Sequence, residues 1–193
     1  MAANPSFHQT SQQTQASQQL RQCLTFIVHG ELFSLDISCV KEIIEYHEVT
    51  HVPLMPNFMK GVLNLRGQVV PVIDLACRLG YGHAIIGKRS CIVVVEIEAD
   101  GEQHEFGMLV DAVSEVIEVA QADIEPAPSF GANIRADFIA GMVRRAKGFL
   151  VLLAIDHVLS LEELAQIIAS RIQQSAIDQQ AFDSREGNDG SDQ

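Results

Sequence analysis

Lysine and arginine are scarce in this chain: 13 stand against 25 aspartates and glutamates among 193 residues, for a formal net charge of −12. Nucleic acid and anionic lipid are both gripped by clustered cations that displace counterions, so this balance argues against either as a partner. Long apolar runs are lacking too. No stretch approaches the roughly 18 apolar residues that a membrane-crossing helix needs. The opening MAANPSFHQTSQQTQASQQL has neither the basic start nor the apolar middle of a secretory signal, so a cytoplasmic protein without direct membrane insertion is expected. The four cysteines, Cys23, Cys39, Cys77 and Cys91, form no CxxC pair, which argues against a metal site or a disulfide framework. Three of them sit in apolar, strand-like text, where a buried free thiol is the ordinary state.

Reaction-centre signatures are equally thin. The chain has no GxxxxGK[ST], HExxH or GxSxG, and Gly80-Tyr81-Gly82 lacks the third glycine and the strand-to-helix setting of a dinucleotide site. His47 and His51 are four apart, which would stack them on a helix. Their segment EYHEVTHVP is Val/Thr-rich and ends in proline, so it reads as extended, and no metal or cofactor is expected. The pairs Glu42/Glu45 and Glu115/Glu118 have no apolar or cationic neighbours in sequence that would shift a carboxyl towards acid or base work. Together these absences weigh against an enzyme.

What the chain does have is a text written twice. FSLDISCVKEIIE, from Phe33 to Glu45, aligns without a gap on FGMLVDAVSEVIE, from Phe106 to Glu118, at an offset of 73. Phe33/Phe106, Val40/Val113, Glu42/Glu115, Ile44/Ile117 and Glu45/Glu118 are identical, and Pro53 and Pro126 fall on the same offset. A second block follows each copy: Phe58-x-x-Gly61, Arg66-Gly67 and an apolar run ending at Asp74, then Phe138-x-x-Gly141, Lys147-Gly148 and an apolar run ending at Asp156. Two collinear blocks imply an internal duplication and two similar half-units.

Residues 1–20 are Gln- and Ser-rich and 176–193 are polar and acidic, so both read as disordered arms around a folded body of 21–175. Ser160 and Glu163 form a capping box, and Leu161, Leu164, Ile168 and Ile172 recur at helical spacing, which predicts an amphipathic helix over 160–173. Between these ends the pattern is strand and turn: hairpins about Gly30, Arg66-Gly67 and Ala99-Asp100-Gly101, with helical turns possible from Ser38 and Asp111. Pro71 cannot donate a ladder hydrogen bond, which places its strand at an edge or a bulge. Residues 78–89 read as a loop between the halves.

The runs VKEIIEYHEVTHVP (Val40 to Pro53) and KGVLNLRGQVVPVIDL (Lys60 to Leu75), with FGMLVDAVSEVIEV and DIEPAP in the second half, resemble the CheW family over roughly Cys23 to Leu164. These are scaffold proteins that couple bacterial chemoreceptors to their histidine kinase. The resemblance implies a mainly β fold: two similar SH3-like five-stranded β-barrels packed around a shared apolar interface, plus the C-terminal amphipathic helix. On the residues the first barrel is expected mainly over 31–80 and the second mainly over 90–155, with termini free to cross over. The resemblance further implies a non-catalytic adaptor, cytoplasmic and associated with membrane receptor arrays through its partners. Those partners are the regulatory domain of a CheA-type histidine kinase and the cytoplasmic tip of chemoreceptors, and the adaptor controls kinase activity in chemotaxis signal transduction.

Carried over residue by residue, Val40 and Ile43 would supply apolar contact to a receptor helix, Glu42 would pair with Arg66, Asn64 and Gly67 would shape the turn, and Gly61 would allow close backbone approach. Between the copies, the first turn reads Leu-Asn-Leu-Arg-Gly and its counterpart Met-Val-Arg-Arg-Ala-Lys-Gly, longer by one residue before its glycine when the two are counted from Gly61 and Gly141. That asymmetry assigns the receptor-facing polar pair to the first half. An adaptor for a non-flagellar array, driving pilus motility or second-messenger control, is the alternative within this class. A small-ligand-binding or enzymatic barrel using residues 78–89 is the alternative outside it.

Overall fold

A computed structural model describes residues 19–99, 101–127, 135–160, 162 and 165. The expected acidic tail lies outside these residues, as do nearly all of the arm over 1–20 and most of the helix over 160–173, of which Glu162 and Ala165 are described and helical. Among the described residues eleven strands follow one another: β1 Leu20–Val28, β2 Glu31–Asp36, β3 Val40–Glu45, β4 Met59–Leu65, β5 Gln68–Asp74, β6 Cys91–Ala99, β7 Glu102–Val110, β8 Ala112–Ala120, β9 Ile124–Glu125, β10 Ile139–Arg145 and β11 Gly148–Leu153. Short helices α1 (Leu75–Arg78) and α2 (Ile155–Val158) follow β5 and β11.

The strands form two sheets, in the orders β8-β1-β2-β11-β10-β9 and β3-β6-β7-β5-β4. The sheets therefore do not coincide with the expected spans 31–80 and 90–155: β6 and β7 belong with β3, β4 and β5, and β1 and β2 belong with the strands of the second half. The repeat itself is the crossing point. Phe33 to Glu45 runs from β2 in one sheet to β3 in the other, and Phe106 to Glu118 runs from β7 to β8 in the opposite direction. A sequence repeat marks equivalent segments, whereas sheet membership depends on long-range pairs such as Leu24 with Val116, which no local pattern displays.

The duplication extends to irregularities. Register shifts fall between Met59 and Gly61 against β5 and between Ile139 and Gly141 against β11, an offset of 80, and between Val40 and Glu42 and opposite Val113, an offset of 73. Parallel pairs match as well, β5 with β7 and β11 with β2. On this register Asp74 corresponds to Ala154, not to the Asp156 that ends the apolar text, since Asp74 and Ala154 each precede the short helix as its N-cap. A 3-10 turn does form at Ile37–Cys39, capped by Asp36 rather than Ser38, and none forms at Asp111.

Each sheet is closed by the chain that leaves its edge. β8 passes through a 3-10 turn, Gln121–Asp123, into β9, which pairs with the far-edge strand β10. Beyond β3, Thr50 exchanges backbone hydrogen bonds of 2.9 and 2.8 Å with Val62 on β4. Gly61 and Gly141 make these approaches possible: a Cβ on Gly61 would sit 2.4 Å from the Thr50 carbonyl oxygen, and one on Gly141 2.4 Å from Ile124 Cγ2. Pro71 lies in an interior strand rather than at an edge. It is tolerated because the parallel ladder to β7 starts only at Val72, so the missing N–H interrupts no bond on that side.

Packing follows the period of two. Ile92, Val93, Val94 and Val95 on β6 are all fully buried. Ile92 and Val94 face Leu63, Val70, Val72 and Leu109 inside the five-stranded sheet. Val93 and Val95 face the opposite way, into a cluster with Phe26, Phe33, Phe106, Met108 and Phe138 that joins the two sheets. Cys23, Val119, Val143, Leu150 and Leu152 fill the other sheet. At about 1.5–3 kcal/mol for each large side chain removed from water, the joint between the sheets is a core in its own right. Arg78 completes it. Its guanidinium lies 4.8 Å from both the Phe58 and Phe138 rings, which are equivalent in the two halves, and its Nε donates to the Val158 carbonyl at 2.9 Å.

Arg21 fastens β1 to the end of β2 through two hydrogen bonds to Asp36 Oδ2, at 3.2 and 3.0 Å, while Ser38 donates its N–H and hydroxyl to Oδ1. Burial pushes the Asp36 carboxyl up, but the Ser38 and Arg21 contacts outweigh it and hold the group below the ordinary aspartate range. Because the unfolded chain takes up this proton first, the stabilisation is complete above the unfolded value near 4 and disappears as pH falls through the lower folded value. In thermal unfolding, Asp36→Asn should therefore be less stable than the parent at pH 6, with the difference vanishing in strong acid. A difference unchanged down to pH 2 would remove the carboxylate from this account.

Candidate functional site

The hairpin between β4 and β5 turns on two residues, Arg66 and Gly67, with φ of 52° and 90°. Positive φ at both is the type I′ turn that suits strand twist, in which the first position normally holds Asn, Asp or Gly. Asn64 steadies it by accepting the Gly67 N–H on Oδ1 at 2.8 Å. Arg66 Nη2 reaches across to Glu42 Oε2 at 2.9 Å. The arginine side chain is 80% exposed and the glutamate 24%. An exposed pair of this kind adds about 0–1 kcal/mol to stability, whereas a left-handed conformation costs a non-glycine residue about 1–2 kcal/mol. Stability alone does not favour arginine here. Strained residues of this sort concentrate where a side chain must be presented.

A bulge on β3 places the neighbouring charges. Val40 and Glu42 oppose consecutive residues Val95 and Val94, leaving Lys41 as the extra residue. Its ammonium bridges Glu96, at 2.6 Å, and Glu105, and those carboxylates, Glu105 foremost, raise its pKa above the usual lysine range. Lys41, Glu42, Leu65, Arg66, Gln68 and Glu105 line a cleft of about 340 Å³. The sequence reading found Glu42 and Arg66 but missed Lys41, Glu96 and Glu105, because the last two come from β6 and β7 of the other copy. The remaining site candidates part company: Ile43 is 43% exposed, Val40 packs partly buried against the joint between the sheets, and Gly61 is buried beneath Thr50.

The second half does not reproduce this site. Both hairpins have two-residue connections, since Leu65 pairs with Gln68 and Arg145 with Gly148, so the second turn is not longer as its text suggested. Its glycine instead sits one place later, at the start of β11. On this register Arg66 corresponds to Ala146, and no counterpart of the ion pair is possible. Exposed Val116 and Phe149 occupy the places of Ile43 and Val69, with Arg144 stacked 5.4 Å over the Phe149 ring.

Among the described residues no group of three His, Cys, Asp or Glu side chains converges as for a metal ion. Cys39, half-buried and donating to the Asp36 carbonyl, has its thiol pushed up to about 11, chiefly by burial, so it stays protonated at neutral pH. Only Cys23 is fully buried; Cys39, Cys77 and Cys91 are partly so, and all four thiols are free. No described helix is long and apolar enough to cross a membrane.

A pair of small β-sheet units joined by an apolar core, with an arginine–glutamate pair held at an exposed turn, is the architecture of a CheW-like domain. The chain belongs to the CheW family: the model of the CheW-like domain matches residues 22–163. It is 33% identical over 144 residues to the chemotaxis protein CheW of Klebsiella aerogenes, covering 75% of this chain and 84% of that one. It is 28% identical over 167 residues to that of Treponema pallidum, covering 86% and 98%. Among solved structures, the scaffolding protein TtCheW from Thermoanaerobacter tengcongensis superposes with a TM-score of 0.66 at 31% identity, covering 80% of this chain and 93% of its own.

Proposed function

We propose that this protein is a non-catalytic adaptor of a chemosensory array, coupling the cytoplasmic tips of chemoreceptors to the regulatory domain of a CheA-type histidine kinase. It would act in the cytoplasm, held at the membrane only through those partners. The observation that carries the reading is the Arg66–Glu42 pair: a planar, bidentate-capable cation presented on a strained turn and oriented by a carboxylate. Arg66 and Glu42 form the polar contact, Asn64 and Gly67 shape it, exposed Ile43 offers an apolar contact on the other face of β3, Val40 supports that strand from below, and Gly61 contributes by letting the barrel close.

Mixing the protein with a CheA regulatory domain and a soluble receptor-tip fragment should give a ternary complex by sedimentation or calorimetry. Absence of both binary interactions would sink the adaptor reading. Within the complex, Arg66→Ala and Glu42→Ala should each weaken binding, and the double variant should lose less than the two single losses combined, since either change alone already breaks the pair. Strict additivity would show that the two side chains act separately.

A further inference from the structure

Glu96 and Glu105 stand directly opposite each other on β6 and β7. Like charges so placed repel and weaken the strand pair. Lys41, the extra residue of the β3 bulge, bridges the two, with its ammonium 2.6 Å from Glu96. The second half shows that a hairpin of this kind does not require the arrangement. Counted from the equivalent pairs Val95–Phe106 and Phe26–Phe33, the places of Glu96 and Glu105 hold Ile27 and Leu32, and at the offset of 73 Lys41 becomes Ser114. Of the two halves, then, the one with both acids and their lysine is the one that carries Arg66, whose own counterpart is Ala146.

The acids and the ion pair also share a cleft, since Lys41, Glu42, Arg66 and Glu105 all line it. A long guanidinium side chain on the turn therefore has two carboxylates in one space. It holds Glu42, through Nη2, and remains 80% exposed. Glu105, 19% exposed against 24% for Glu42, is no less shielded from water, and Glu96 adds a second negative charge beside it. With no lysine upon it, that acid pair would compete for the arginine. We propose that Lys41 is a positioning residue for the Arg66–Glu42 pair: by occupying Glu96 and Glu105 it leaves Glu42 as the carboxylate for Arg66 to hold, and keeps the rest of the guanidinium exposed for an acceptor on the partner. The proposal rests on the reading of that pair as a contact with receptor or kinase. Lys41 itself need touch no partner, because it acts through the arginine.

The test uses the full chain in two arms. In the first, with no partner present, the Arg66 Nε–Hε signal is followed by 15N NMR. In the parent it should move on Glu42→Gln and hold its place on Glu105→Gln; in the Lys41→Met background the two responses should exchange, while Lys41→Arg behaves as the parent. An Arg66 signal that still answers to Glu42 in Lys41→Met would overturn the proposal, whatever happens to binding. In the second arm, Lys41→Met should weaken assembly with the CheA regulatory domain and receptor-tip fragment by about three- to fivefold, the scale of one exposed ion pair. Adding Glu105→Gln to Lys41→Met should restore it. Assembly that stayed weak in this double variant would also overturn the proposal, because a direct Lys41 contact is not replaced by a change at Glu105. An exchange in the first arm with assembly unchanged would place the failure in the functional reading instead, since Lys41 would then steer an arginine that no partner uses.

Discussion

Gly61→Ala should destabilise the protein by about 3 kcal/mol or more, among the larger effects a single methyl can produce. The added Cβ would stand 2.4 Å from the Thr50 carbonyl oxygen, 3.0 Å from its carbon and 3.1 Å from Val49 Cγ2, at a φ of 150° that side chains other than hydrogen rarely adopt. Backbone cannot swing aside as a side chain can. Relief requires breaking the reciprocal Thr50–Val62 bonds that close the five-stranded sheet. The equivalent Gly141→Ala offers the control. There the 2.4 Å neighbour is the Ile124 Cγ2 methyl, the nearest backbone atom, the Glu125 carbonyl oxygen, is 3.1 Å away and the backbone is not left-handed, so a smaller cost of about 1–2 kcal/mol is expected. Denaturant midpoints of the two variants decide the matter: equal losses would mean that the segment through Thr50 gives way as readily as a side chain.

The second large effect concerns binding. Arg66→Glu should reduce assembly with receptor tip and kinase by about 30-fold or more, roughly 2 kcal/mol, because it removes the cation and sets two carboxylates against each other at the centre of the proposed contact. Lys147→Glu, on the corresponding hairpin of the second half, should leave receptor binding nearly unchanged. The geometry gives this contrast a firmer basis than the text alone. Lys147 falls opposite Gly67 rather than Arg66, so the second half has no equivalent of the pair to lose. If Lys147→Glu abolished receptor binding as fully as Arg66→Glu, with folding intact, the division of labour between the halves would be wrong.

Much of this was legible in the residues. The repeat announced two similar units, turn signals placed the hairpins about Gly30, Arg66-Gly67 and Ala99-Asp100-Gly101, and Asn64-Leu65-Arg66-Gly67 marked its own turn, since glycine at a left-handed position and a side-chain acceptor are local needs. What stayed hidden was whatever depends on partners distant in sequence. The exchange of hairpins could not be read, because β1 fits β8 and β2 through pairs that no window spans. Lys41 gave no signal, since its acidic partners come from another copy. Arg78 likewise read as the start of a loop, although it lies between the two equivalent phenylalanines at the joint. Asp74, which closes the text of β5, is fully buried, caps α1 through the Cys77 N–H and receives the Ala84 N–H at 3.0 Å. Its duty is to tie down the linker, and that duty appears only when the linker's path is known.

The exchanged hairpins carry a consequence for folding and ancestry. Neither half of the chain can complete a sheet by itself, because each lends its first two strands to the other. The molecule is, in effect, a domain-swapped dimer fused into one polypeptide. A lone ancestral copy would have had to find its twin before it could fold. In the present chain the linker over 79–90 turns that encounter into an intramolecular one, so cutting it should yield two fragments that fold only in each other's company.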